Sequence, residues 1–410
     1  MAGEGPAPFH RPKDGGGWVG SMVRVVHVAP FFPPHVGGLQ NHVDVLTREQ
    51  ARLGLEVTVV TSSIGDGTGE AVDALGRRIV RLPSLDLGAD ALSLGMLRRC
   101  SATKGTFDLV HLHGHLFLST TVGALCRRLS HVPTLMTFHG DFEKLTAAGR
   151  AVKAIRDATQ GPFILGGLDA IVALTRHDAG HLEAKGADPS RIVVIPNGVD
   201  LGTFRPSTAE AVAAFRGAYG VPDGARTVFF VGRMSEQKGL ECLLRAVPLV
   251  LREHPDAYFV VAGMGHLLAR YMHIARDLGL DRSLTFPGLL PGPDLVAAYG
   301  ASELVAIPSL WEGMPLVALE AAASGRPVVA TDVSGMSEFV AQGGTGMLVP
   351  PRSPEALASA IGEVLSDGAM ASRMGRAALE KARSEFDLGT QVRRTVELYG
   401  RMVDGHAVQG

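Results

Sequence analysis

Within PSLWEGMPLVALEAAASGRPVVAT, residues 308–331, Glu312 and Glu320 stand eight positions apart on either side of Pro315. Proline is tolerated at a first helical position, where its missing N–H has no partner. The spacing therefore predicts a strand over LVAIP, a loop carrying Glu312 and Gly313, and a helix running to Gly325. Unpaired amides at that helix start, near Met314, Leu316 and Val317, form an anion site that the macrodipole reinforces. With all eight residues helical, the two carboxylates lie about 12 Å apart along the axis. That placement suits an elongated ligand with a phosphate in the middle and hydroxyls at both ends. A loop Glu or a helical Glu is ordinary by itself, but Glu320 sits amid VALEAAASG, where a solvated charge is hard to explain.

A second strand-to-helix turn, FFVGRMSEQKGLECLL at residues 229–244, carries Arg233 and Lys238 beside Gly232 and Gly239. Arginine binds phosphate with a directional fork and lysine supplies a point charge. Either is a common surface residue, yet two cations beside a second anion-ready helix start point to a diphosphate. FFPPHVGGLQNHV places Gly37 and Gly38 just before a helix, where backbone can approach a ligand closely. TLMTFHGDF ends a strand at His139, Gly140 and Asp141, and a histidine there can orient a ligand group or simply pack. His111, His113 and His115 alternate along and beyond another strand. No carboxylate cluster accompanies them, so the sequence assigns no metal site.

The elements that position these residues follow from hydrophobic pattern. Short β-branched runs such as VRVVHVA, VTVVT, FDLVHLH and DAIVAL alternate with helical-period segments, the signature of a covered parallel sheet. The first crossover helix is marked by Leu39, Val43 and Leu46. The alternation restarts with TVFFVG, AYFVVAG, LTFPG, LVAIP and PVVAT. Two doubly wound α/β units result, with Pro196, Asn197, Gly198 and Pro206 marking a hinge near 197–221. Open sheets of this kind bind ligands outside the carboxyl ends of their strands, so a shared cleft that closes on nucleotide is expected.

Composition limits the partners. The chain has 410 residues, with 39 Lys and Arg against 41 Asp and Glu, a net charge of −2. Global electrostatics therefore gives no reason to expect nucleic acid. No apolar run approaches the roughly 18 residues of a membrane span, and Cys100, Cys126 and Cys242 are too widely spaced for a disulfide framework. A cytoplasmic protein is expected. Residues 1–21 lack the apolar stretch of a secretory signal and read as a disordered extension. EKLTAAGRAVKAIRDA, residues 143–158, interleaves Lys144, Arg150, Lys153 and Arg156 with apolar residues. It reads as a solvated helix face in preference to a peripheral membrane contact.

Gly37-Gly38, His139, Arg233 with Lys238, and the pair inside E-G-M-P-L-V-A-L-E together resemble the retaining glycosyltransferases of family 4, from Val23 to Met402. The resemblance implies the GT-B fold: an acceptor-side Rossmann-like domain at 22–205, a nucleotide-sugar-binding one at 206–387, and a helix at 388–410 returning to the first. It implies that Glu320 holds the donor ribose and Glu312 the sugar hydroxyls. Arg233 and Lys238 hold the diphosphate, Gly38 approaches it, His139 contacts the transferred sugar, and Gly288 and Leu289 border the base. The expected activity is transfer of a hexosyl or aminohexosyl unit from a nucleotide-diphosphate sugar, expected to be a UDP-sugar, to a hydroxyl acceptor. A bacterial secondary-metabolite, lipid or polysaccharide precursor is the expected acceptor, and no cofactor is implied. No Asp-x-Asp motif is present, so fixed cations replace a metal, and the family's front-face reaction requires no protein nucleophile. A non-hydrolysing nucleotide-sugar epimerase and a non-catalytic nucleotide-sugar-binding protein are the alternatives. Two departures bear on donor identity: Gly263-Met264-Gly265 lacks the acid often found in that turn, and Ser334 replaces a glycine in VSGMSE.

Overall fold

The computed structural model describes residues 23–35, 37–65, 67–86, 91–93, 95, 106–114, 118–140 and 147–405. The chain divides into two compact units, Met1–Pro196 with Gly389–Gly410, and Asn197–Leu388. The N-terminal extension, Cys100, His115, Asp141 and Lys144 lie outside the described residues.

The first unit is built on β1 (Arg24–Val28), β2 (Glu56–Ser62), β3 (Gly69–Val72), β4 (Arg78–Leu82), β7 (Leu109–Gly114), β8 (Thr134–Phe138), β9 (Ala170–Ala173) and β10 (Ile192–Val194). Their order is β10-β9-β8-β7-β1-β2-β4-β3. Only β3 runs antiparallel, on β4, so the expected strand–helix alternation is broken after β2. A two-stranded hairpin, β5 (Leu85–Asp86) and β6 (Ala91–Leu92), lies apart from this sheet. The order reverses between β1 and β7, the place where open α/β sheets leave a crevice. Helix Gly38–Arg52 lays His42, Val43, Leu46, Thr47 and Gln50 on its buried face. Helix Leu388–Val403 buries Leu398, Tyr399 and Met402 in the same core as Val25, Val59 and Leu135.

The second unit holds β11 (Arg226–Val231), β12 (Ala257–Ala262), β13 (Leu284–Gly288), β14 (Leu304–Ile307), β15 (Val328–Thr331) and β16 (Gly346–Val349). Their order, β13-β12-β11-β14-β15-β16, is parallel throughout and reverses between β11 and β14. Strand β12 is buried at every residue, as a sheet covered on both faces requires. Helix Leu240–Glu253 contributes Leu240, Leu243, Leu244, Val247 and Val250 to one core with β11 and β12. Burial of each such side chain is worth about 1.5–3 kcal/mol.

The segment 197–221, expected as a hinge, is folded into the second unit from Asn197 onward. Val199 N–H donates to the Phe386 carbonyl and Leu388 N–H to the Val199 carbonyl. Residues Ala209–Tyr219 form a helix, capped by the Thr208 hydroxyl and ended by Gly220 at φ 67°. The proline and glycine punctuation therefore marks turns that dock on the second unit rather than a free linker. The unit boundary falls at Pro196/Asn197, not at 205/206.

Candidate active site

The loops after β11 and β14, which flank the reversal of strand order, converge on one ion pair. Lys238 Nζ donates to Glu312 Oε1 at 2.6 Å, and the Ser309 hydroxyl donates to the same oxygen at 2.5 Å. Glu312 is buried, at 6% exposure, so its charge needs the lysine. The two loops are also locked through backbone. Leu310 N–H donates to the Gln237 carbonyl at 2.8 Å, and the Gln237 amide donates to the Trp311 carbonyl at 3.1 Å. Gly239 closes the contact at φ 60°, and a Cβ there would stand 1.9 Å from the Pro308 carbonyl oxygen. Arg233, exposed on the same loop, lies five residues before Lys238.

The helix that follows begins one residue later than expected. Pro315, at ψ 113°, is the cap, and the helix is Leu316–Ala323. No side chain caps it, and Ala318 N–H returns to the Pro315 carbonyl. The amides of Leu316 and Val317 are thus left outside the intrahelical ladder. Because only the second half of the Glu312–Glu320 interval is helical, the 12 Å estimate from a continuous helix, about 1.5 Å per residue, does not describe the pair. Gly313 precedes the buried Met314, whose carbonyl and sulfur accept from the Asn197 side chain and backbone at 3.4 and 2.8 Å.

Glu320 sits apart from the ion pair. Its Oε2 accepts the Tyr299 hydroxyl at 2.6 Å, and Tyr299 is fully buried. Burial pushes the Glu320 carboxyl above its ordinary value, against the opposing pull of the tyrosine hydrogen bond. Among the described residues no ion pair is made by this carboxylate, whose side chain is half-buried.

The ends of β12 and β13 supply an apolar edge. Gly263 N–H donates to the Gly288 carbonyl at 2.7 Å, and Gly263, at φ 132°, packs so that a Cβ would meet the Gly232 carbonyl at 1.9 Å. Beyond them Met264 and Leu289 are exposed, at 47% and 58%. The residue that replaces the usual acid is therefore an outward-facing methionine beside an outward-facing leucine. Ser334, the other departure, holds φ 49°, and its hydroxyl accepts from Glu312 N–H at 3.4 Å. A non-glycine residue in that region costs about 1–2 kcal/mol, which the hydrogen bond partly offsets.

In the first unit Gly37, fully extended, caps helix Gly38–Arg52, and a Cβ on Gly38 would meet nothing within 4 Å. The protein's own packing does not demand that glycine, in keeping with close approach by a ligand. His139 lies just past β8, half-buried, and its N–H donates to the Gly114 carbonyl at 3.3 Å. Around it is a histidine cluster that the sequence reading assembled only in part. His27 Nδ1 lies 2.8 Å from His113 Nε2, His27 Nε2 2.7 Å from Gln50 Oε1, and the Gln50 amide donates to the Tyr399 hydroxyl at 3.0 Å. His111 bonds Tyr399 through Nδ1 at 2.5 Å and Thr137 through Nε2 at 2.7 Å. Burial lowers the affinity of all three rings for a proton, taking His27 to about 3.

Of the predicted residues, Lys238 and Glu312 touch; Glu320 pairs with Tyr299, which the sequence did not single out. Tyr299 carries no local signal in VAAYGASE, and Gln50 and Tyr399 are ordinary helix residues until the fold brings them to His27 and His111. In the 143–158 segment, Lys153 and Arg156 both lie against Asp157, at 2.6 and 3.6 Å. Lys185 joins them on the same carboxylate at 2.6 Å, and among the described residues no helix is long and apolar enough to cross a membrane.

The family model for group 1 glycosyl transferases matches residues 212–381, and that for glycosyltransferase family 4 matches residues 36–203. A D-inositol 3-phosphate glycosyltransferase of Corynebacterium glutamicum is 30% identical over 413 residues, covering 94% of this chain and 97% of the relative. One from Nocardia farcinica is 35% identical, covering 87% and 84%. The chain belongs to the family 4-like GT-B glycosyltransferases. Its fold matches that of sucrose-phosphate synthase from Thermosynechococcus elongatus with a TM-score of 0.80 at 24% identity, covering 94% of this chain and all of that one. Anabaena HepE, in complex with UDP and glucose, matches with a TM-score of 0.76 at 19% identity over 92% and 99%. The chain is thus a glycosyltransferase, and its second unit carries the strand-end loops just described.

Proposed function

We propose that this glycosyltransferase moves a hexosyl or aminohexosyl unit from a UDP-sugar to a hydroxyl acceptor, with retention and without a metal ion. The observation that carries the reading is the Lys238–Glu312 pair at the reversal of strand order. A cation and a buried carboxylate on one side of a helix start match a diphosphate joined to a polyhydroxylated sugar. Lys238, Arg233 and the amides of Leu316 and Val317 take the charge that grows on the departing phosphate oxygen. Glu312 accepts from sugar hydroxyls, Glu320 from the ribose, and the Met264 and Leu289 edge borders the base together with Gly288. From the first unit, Gly37 and Gly38 serve the diphosphate and His139 the transferred sugar.

In the step, the bond from anomeric carbon to diphosphate breaks and the acceptor oxygen bonds the same face. The acceptor proton passes to the leaving phosphate. The names of the relatives favour a phosphorylated cyclitol as the acceptor.

The test is an assay with UDP-hexoses and UDP-N-acetylhexosamines against inositol phosphates, aminocyclitols, lipids and oligosaccharides. Acceptor-dependent UDP release, with the donor's anomeric configuration kept in the product by NMR, is expected. Isomerised donor without acceptor supports an epimerase, and donor binding without turnover across the whole panel supports a non-catalytic protein. Excess EDTA is expected to leave the rate within about twofold, because fixed cations neutralise the leaving group. A rate abolished by EDTA and restored by Mg²⁺ contradicts metal independence.

A further inference from the structure

Among the described residues, two groups of three hold ring nitrogens within 4.8 Å of one another: His27, His111 and His113, and His42, His113 and His139. In the first group the rings are largely committed to one another, to Gln50, to Tyr399 and to Thr137. These bonds fix tautomers. Gln50 Oε1 accepts from His27 Nε2–H, which leaves His27 Nδ1 as an acceptor and makes His113 Nε2 the donor to it. His113 Nδ1 then carries a bare lone pair; it is fully buried and has no hydrogen-bond partner.

We propose that His42, His113 and His139 form a binding site for a late first-row divalent cation such as Zn²⁺, with the Gln50–His27 relay as its outer support. A metal-ligating histidine characteristically donates its other N–H to an acceptor that fixes ring orientation, and His113 does so to His27. Three neutral imidazoles with an open fourth position are a ligand set suited to Zn²⁺ and its neighbours, and not to Mg²⁺ or Ca²⁺. His42 and His139 stand edge to face with centroids 4.7 Å apart, and each centroid lies 5.8 Å from that of His113. Ligand nitrogens about 2.0–2.1 Å from one tetrahedral ion are about 3.4 Å apart, a contraction that ring rotation supplies. His42 and His113 are buried while His139 is half-buried. A metal on His139 blocks the sugar contact proposed for that ring, so the cation acts as an inhibitor and not as a cofactor. This last part rests on the proposed function.

The probe is Co²⁺ alone, added to untagged full-length protein freed of metal. One equivalent is expected to produce visible d–d bands of four-coordinate intensity, which Zn²⁺ abolishes by displacement. His113→Gln retains a donor at the Nε2 position toward His27 but removes Nδ1, and it should weaken Co²⁺ at least about 100-fold with an unchanged circular dichroism spectrum. His42→Phe should do likewise. His111→Gln alters only the other group and should change affinity by less than about threefold. No bands at saturating Co²⁺, or parental binding by both His113→Gln and His42→Phe, overturns the site. Loss of binding in His111→Gln with parental binding in His42→Phe assigns the metal to His27, His111 and His113 and overturns it too. Zn²⁺ is also expected to lower turnover reversibly. Bound metal with undiminished turnover removes the inhibitory role and the proposed part of His139, while the spectrum still establishes the site.

Discussion

Lys238→Met is expected to lower turnover by about 10²–10³-fold, the range seen when one preorganised charge-stabilising donor is removed. The side chain keeps much of its packing, so the loss falls on the ammonium. Nζ lies 2.6 Å from Glu312 Oε1, and Glu312 is 6% exposed. Removal of the cation strands a buried carboxylate with Ser309 as its remaining side-chain partner, which costs up to about 3–5 kcal/mol. Stability and catalysis are therefore entangled in the single variant. Adding Glu312→Gln removes the stranded charge, so the double variant should recover most of the thermal stability and none of the rate. The pair of Tm values and the pair of kcat values separate the two effects. A Lys238→Met enzyme within fivefold of the parent, with its fold intact, contradicts the role given to the lysine.

Gly239→Ala is expected to destabilise the second unit by about 3 kcal/mol or more, the size of effect that follows overpacking at a special backbone conformation. At φ 60° an alanine pays about 1–2 kcal/mol for the left-handed region. The larger share comes from a Cβ placed 1.9 Å from the Pro308 carbonyl oxygen, where backbone has to move. A fall in Tm of roughly 6–12 °C follows for a unit of this size. Gly279 is the control: it holds φ 70° with nothing within 4 Å of a Cβ, so Gly279→Ala pays for conformation alone. Its loss should be about 1–2 kcal/mol. Because Gly239 seats the Lys238 loop on the Glu312 loop, its alanine variant should also lose turnover, whereas Gly279→Ala should not. Equal Tm shifts in the two variants contradict the close approach as the reason for the glycine.

The central strands of both units were legible because most are short β-branched runs that announce themselves locally, as in TVFFVG and AYFVVAG, whereas β3 (GEAV) and the β5–β6 hairpin (LD, AL) carry no such run. The loop before Leu316 was legible too, since Pro315 and the flanking strand fix its place within one residue. What the sequence could not supply were partners chosen by the fold. Lys238 and Glu312 are 74 positions apart, and His111 and Tyr399 are 288 apart. Neither separation leaves a periodicity to read. The turn at 197–221 misled for the converse reason: its prolines and glycines are real turns, but they are anchored by Met314 and Phe386 from distant segments. Histidines at alternate positions showed that His111 and His113 share a face, yet His27 and His42 come from separate elements and only the sheet order gathers them.

Calorimetric titration of free UDP into the parent, Glu320→Gln and Glu312→Gln enzymes tests the division of the donor between the two glutamates most directly. A charge-assisted bond to ribose is worth about 1.5–3 kcal/mol, so Glu320→Gln should bind UDP at least about tenfold more weakly. Its stability should move the other way. The Glu320 carboxyl is raised in the folded state, so stability falls as pH climbs from the unfolded value through the folded one. Glutamine removes that loss and still accepts from Tyr299, so Tm at neutral pH should rise, not fall. Glu312→Gln, whose proposed partner is the sugar, should not weaken UDP, because loss of its charge leaves Lys238 free for the diphosphate, while turnover drops, since the anomeric carbon is no longer held in place. Equal weakening of UDP in both variants, or unchanged UDP binding in Glu320→Gln, contradicts the account.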